Sequence, residues 1–192
     1  MPYNLPNALT LLRIALIPVF AVVFYLPFAW GNVAVTAIFA IAALTDWLDG
    51  FLARQLDQTS AFGAFLDPVA DKLMVAVALV MLVDVNPTPF VGLILALPAA
   101  VIIGREIVIS ALREWMAEIG ERAQVAVSTI GKIKTTAQMV SLLLLLYREP
   151  LGQLPTVEIG LALLYLAAAL TLWSMVIYLR AAWPTLTGPE GQ

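Results

Sequence analysis

Six apolar stretches, each of roughly 20 residues, run through this chain with polar or breaker residues between them. Nothing else in the sequence restricts the fold so strongly. In hydrocarbon every backbone N–H and C=O must find a partner inside the chain, so only helices or closed barrels can span. The apolar runs are continuous rather than alternating, which selects helices. The spans are expected at about Ala8–Phe28, Val33–Arg54, Gly63–Val83, Thr88–Glu118, Val125–Tyr147 and Val157–Ala182. Breakers mark the joints: Pro27 with Gly31-Asn32, Asn86-Pro87-Thr88-Pro89, Glu149-Pro150 with Gly152 and Pro155, and Pro184 at the end. Pro18 and Pro98 fall inside spans and read as kinks. The expected fold is an all-α integral membrane protein, a six-transmembrane-helix bundle forming one domain over residues 1–192. Residues 1–7 form a short N-terminal interfacial segment, and no cleavable leader is expected because the first apolar run lacks a basic region before it.

Composition agrees. The chain is 62% hydrophobic and 12% charged, with mean hydropathy +0.96; a soluble domain is about half apolar and about a quarter charged. Cysteine and histidine are both absent. Disulfides, thiolate nucleophiles and imidazole chemistry are therefore excluded. A general base must be a carboxylate, a lysine or a tyrosine, and metal ligands must be oxygens. No nucleic-acid partner is expected; membrane lipids are. With the N-terminus inside, nine of the ten lysines and arginines fall at the cytoplasmic face and only Arg148 falls outside. Both termini and the polar cluster described next should then face the cytoplasm. Trp30, Trp115, Trp173 and Trp183 lie near span ends, where indoles anchor at the interface.

Into this apolar background the chain sets four aspartates within 26 residues: Asp46, Asp49, Asp67 and Asp71. A carboxylate at the centre of a membrane helix costs about 2.5–3.5 kcal/mol, so four together need a counter-charge. Asp46 and Asp49 are three apart and Asp67 and Asp71 four apart, which puts each pair on one helix face. Two antiparallel helices, each giving two carboxylates, suit two divalent ions roughly 3.5–4 Å apart. Gly50 and Gly63, with Ala53 between, remove bulk where a ligand must approach backbone. Arg54 offers a planar fork for a phosphate oxygen.

These residues spell Asp-x2-Asp-Gly-x2-Ala-Arg-x8-Gly-x3-Asp-x3-Asp. That pattern resembles the signature of the CDP-alcohol phosphotransferases at every fixed position. The resemblance implies a six-helix membrane bundle, commonly a homodimer. It implies that Asp46, Asp49, Asp67 and Asp71 hold two divalent ions, Mg2+ or Mn2+. By the same resemblance Asp49, Gly50, Ala53, Arg54 and Gly63 contact the CDP part of the donor, and Asp71 takes the acceptor's hydroxyl proton.

A second polar group comprises Arg105-Glu106, Ser110, Arg113-Glu114 and Lys132-Ile133-Lys134-Thr135-Thr136 with Gln138. Arg105 and Arg113 are two helical turns apart, on one face. A basic pocket of Arg105, Arg113, Lys132 and Lys134 near the metals suits an acceptor bearing its own phosphate. Glycerol 3-phosphate or inositol phosphate is thereby favoured over serine, choline or ethanolamine. The flanking segments Asn4-Leu5-Pro6-Asn7 to Arg13, Phe62 to Lys72, Arg105-Glu106-Ile107 and Gly131 to Thr135 look like the bacterial branch of the family that uses glycerol 3-phosphate. That likeness implies transfer of phosphatidyl from CDP-diacylglycerol to glycerol 3-phosphate with release of CMP at the bacterial cytoplasmic membrane. A branch using phosphatidylglycerol as acceptor, which makes cardiolipin, shares much of the pattern. From another class, a divalent-cation transporter also places aspartates in membrane helices, but Arg54 beside them would repel a permeating cation.

Overall fold

The computed structural model describes residues 5–56, 61–119 and 129–187. They form six helices: α1 (Leu5–Tyr25), α2 (Gly31–Leu56), α3 (Ala61–Val85), α4 (Leu93–Glu118), α5 (Thr129–Tyr147) and α6 (Thr156–Thr187). Three of them contain stretches long and apolar enough to cross a bilayer: Asn7–Tyr25, Leu93–Glu118 and Thr156–Trp183. The protein is an all-helical membrane protein, and many of its large apolar side chains, among them Val22, Leu44, Leu93 and Trp173, point outward. In water this surface would be an aggregation hazard; in lipid it is the solvated face.

Several boundaries differ from those read off the sequence. Leu5–Asn7 belong to the first turn of α1, and Asn7 is buried rather than interfacial; the rest of the opening segment, and the start of the fifth span before Thr129, lie outside the described residues. Pro6 is compatible with that turn, where its missing N–H would have no helical partner anyway. The fourth helix starts at Leu93, later than Thr88. Asn86, at φ +37°, accepts from the Thr88 backbone N–H and hydroxyl and donates to the Phe90 carbonyl. Those side-chain bonds stabilise a turn in competition with the helix. The last helix continues through Pro184 to Thr187, because one lost N–H does not end a helix whose neighbouring bonds remain.

Packing follows side-chain size. Phe20, Phe39, Leu79, Leu82, Leu95, Ile102, Leu142, Leu145 and Leu164 are wholly or almost wholly buried and form the main core from all six helices. A smaller cluster of Ile109, Leu112, Met116, Tyr178 and Ala182 joins the far ends of α4 and α6. The closest pairing is α5 with α6. A Cβ on Gly160 would sit 3.0 Å from Leu145 Cγ and 3.2 Å from the Ser141 carbonyl, so glycine is what lets these helices touch. The buried Ser141 hydroxyl donates to the Gly160 carbonyl at 2.6 Å. Between α2 and α3 the contact is slight, whereas α1 packs along both. This arrangement places a side chain of α1 between the aspartate-bearing helices.

Candidate active site

α1 carries one charged residue, Arg13, and it is 1% exposed. An arginine buried in an apolar helix requires acidic partners. Arg13 Nη1 lies 3.1 Å from Asp46 Oδ1 on α2 and also donates to Asp71 Oδ1 on α3. One nitrogen thus gathers carboxylates from two helices, 25 residues apart in sequence. Both carboxylates remain accessible, with side chains 47% and 41% exposed, while the arginine between them is only 1% exposed.

Asp49, Gly50, Ala53, Arg54, Gly63 and Asp67 fall on the helical backbone of α2 and α3, and their side chains lie outside the described residues. Among the described residues no three acidic side chains converge as a metal group. Asp46 and Asp71 supply hard oxygen donors on adjoining helices, which is the donor chemistry Mg2+ or Mn2+ takes.

These carboxylates open on a cavity of about 1130 Å³ between α1–α5. Its lining includes the charged residues Arg13, Asp46, Asp71, Lys72, Glu106 and Lys134 and the apolar residues Phe39, Ile102, Val140 and Leu143. A lining that combines charged and hydrocarbon side chains suits an amphiphile whose headgroup reacts while its tails stay in apolar surroundings.

In the same lining, Glu106 Oε1 accepts from Arg105 Nη1 at 2.6 Å and from Lys134 Nζ at 3.3 Å. Lys134 is buried. Lys72 donates to the Ser110 hydroxyl, linking α3 to α4 in that lining.

The four basic residues singled out from the sequence divide. Lys134 lines the cavity. Arg105 and Arg113 turn toward α6: Arg105 Nη2 is 3.5 Å from Ser174 Oγ, and Arg113 Nε donates to Tyr178 Oη at 3.1 Å with its guanidinium 5.2 Å from that ring centre. Lys132 is exposed and does not line the cavity. Two residues that sequence reading left without a role in the site, Arg13 and Glu106, each join helices there. Arg13 carried a usable signal, as the sole charge in a 21-residue apolar helix. Glu106 did not, because a Glu beside an Arg on a helix is common.

Comparisons with known proteins agree with this geometry. The chain is 57% identical over 190 residues to a Pectobacterium atrosepticum protein, covering 98% of this chain and 100% of the relative. It is 58% identical over 183 residues to a protein of Salmonella paratyphi A, covering 95% and 96%, and 56% identical over the same length to one of Shigella flexneri. All three are named CDP-diacylglycerol–glycerol-3-phosphate 3-phosphatidyltransferase. The profile of the CDP-alcohol phosphatidyltransferases matches residues 3–173. Carboxylates on adjoining membrane helices, a half-apolar cavity and a match over most of the sequence lead to one conclusion: this chain belongs to the CDP-alcohol phosphatidyltransferase family.

Proposed function

We propose that this protein transfers the phosphatidyl group of CDP-diacylglycerol to glycerol 3-phosphate, forming phosphatidylglycerophosphate and CMP. The observation that carries the reading is the meeting of Asp46 and Asp71 in the lining of a cavity that also bears many hydrocarbon side chains. The names of relatives 56–58% identical over nearly the whole chain support the same donor and acceptor.

In this reading Asp46, Asp49, Asp67 and Asp71 hold two divalent ions, Mg2+ or Mn2+. When bound, these ions supply charge neutralisation on the donor's diphosphate and at the departing CMP. Gly50, Ala53 and Gly63 leave room for the CDP moiety, with Asp49 beside it, and Arg54 forks onto a phosphate oxygen. Asp71 accepts the proton of the acceptor's hydroxyl as its oxygen attacks the phosphorus bearing the lipid; histidine is absent, and this carboxylate lies in the cavity lining. Lys134 binds the acceptor's phosphate, and Arg105, Arg113 and Lys132 supply basic charge around it. The apolar side chains of the lining seat the start of the acyl chains and keep water from the reacting phosphorus.

The remaining architecture is part of the same proposal. Residues 1–192 form one domain, all six helices span the bacterial inner membrane, and both termini and the cavity face the cytoplasm. The protein works as a homodimer.

The test is CMP release from CDP-diacylglycerol by purified protein with Mg2+ and one acceptor at a time: glycerol 3-phosphate, phosphatidylglycerol, inositol phosphate or serine. Release that requires glycerol 3-phosphate supports the proposal. Release with another acceptor overturns the acceptor assignment, and release with none overturns the transferase reading.

A further inference from the structure

The reading above gives Asp46 and Asp71 to metal, yet both also contact a cation that belongs to the chain. Arg13 is fully buried, on a different helix from either aspartate, and reaches Oδ1 of both through one nitrogen. It borders the same cavity as the carboxylates but is itself almost wholly buried. The guanidinium cannot be neutralised near physiological pH, so its charge is permanent. Two carboxylates brought together in an apolar bundle repel each other unless a cation lies between them. Arg13 satisfies that requirement before any metal arrives.

We infer that Arg13 is a built-in counter-cation that holds the metal-binding carboxylates together in the metal-free protein and competes electrostatically with the divalent ions for them. This inference rests on the assignment of Asp46 and Asp71 as metal ligands. Arg13 thereby lowers metal affinity and, in exchange, keeps the carboxylates together when chelator has removed the metal. Its role is positioning, exercised through the carboxylates it holds. A purely structural tie between α1, α2 and α3 would behave differently. Such a tie would cost the same stability with or without metal, and its loss would not tighten metal binding.

The experiment compares the native protein, Arg13→Gln and Arg13→Lys in detergent without substrate, measuring Mn2+ binding by calorimetry and melting temperature in chelator and in saturating Mg2+. Removing a unit charge a few ångströms from a divalent site should tighten Mn2+ binding by roughly tenfold in Arg13→Gln. The same variant should melt well below native in chelator and recover most of the difference in Mg2+. Arg13→Lys, which keeps the charge, should stay near native affinity. Should Arg13→Gln fold only in Mg2+, that dependence supports the inference, with Arg13→Lys restoring folding in chelator. Unchanged or weaker Mn2+ binding, or equal loss of melting temperature in both conditions, overturns it. Absence of Mn2+ binding by the native protein overturns the metal assignment itself, and the inference with it.

Discussion

Lys134 on α5 donates to Glu106 Oε1 on α4 at 3.3 Å, and the same oxygen takes Arg105 at 2.6 Å. One carboxylate therefore separates two cations at the cavity wall. Replacing it by an amide removes the negative charge and leaves Arg105 and Lys134 facing each other in a partly desolvated place. Glu106→Gln is expected to lower stability by about 1–3 kcal/mol. Thermal melting in detergent checks this, and an unchanged melting temperature would contradict it.

Lys134 lines the cavity and is buried, so a phosphate it binds is held by a charge-assisted bond worth about 1.5–3 kcal/mol. Lys134→Met should raise KM for glycerol 3-phosphate by roughly 10- to 100-fold while changing kcat much less. A steady-state titration of the acceptor at saturating CDP-diacylglycerol separates the two constants.

The α5–α6 contact depends on the missing side chain of Gly160, where even a Cβ would come within 3.2 Å of the Ser141 carbonyl. Gly160→Val should force the helices apart at a cost of about 1–3 kcal/mol. Its melting temperature should fall below native, with the glycerol 3-phosphate KM of the folded fraction unchanged.

Tyr25 Oη donates to Asp84 Oδ2 at 2.8 Å, joining the ends of α1 and α3 away from the cavity-lining residues. The bond is exposed, so Tyr25→Phe should cost less than about 1 kcal/mol. Turnover should match native. A loss of turnover beyond twofold would mean that this end of the bundle couples to the reaction.

Chelation provides a further check. The proposal requires divalent ions, so CMP release should stop in excess chelator and return when Mg2+ or Mn2+ is added back. Persistence of release in chelator would contradict the metal assignment.

Much of the fold could be read from the sequence because hydrophobic length and Pro/Gly punctuation are local signals. The six helices match the six apolar stretches, and the errors fall at their ends. There the Asn86 side chain built a turn into the fourth stretch, and helix propagated through Pro184. Asp46 and Asp71 stood out because a carboxylate in an apolar helix is costly. Their meeting on Arg13 was not legible, since it depends on α1 packing along both α2 and α3, a tertiary fact with no trace in spacing. The same limit applies to Arg105 and Arg113, whose shared face was readable but whose direction, toward Ser174 and Tyr178, was set by α6.

The most direct test of the central claim is the rate of CMP and phosphatidylglycerophosphate formation by native protein and by Asp71→Asn, at matched metal occupancy. Formation should require glycerol 3-phosphate in the native protein and be at least about 100-fold slower in Asp71→Asn. Near-native turnover by Asp71→Asn with metal bound would contradict it.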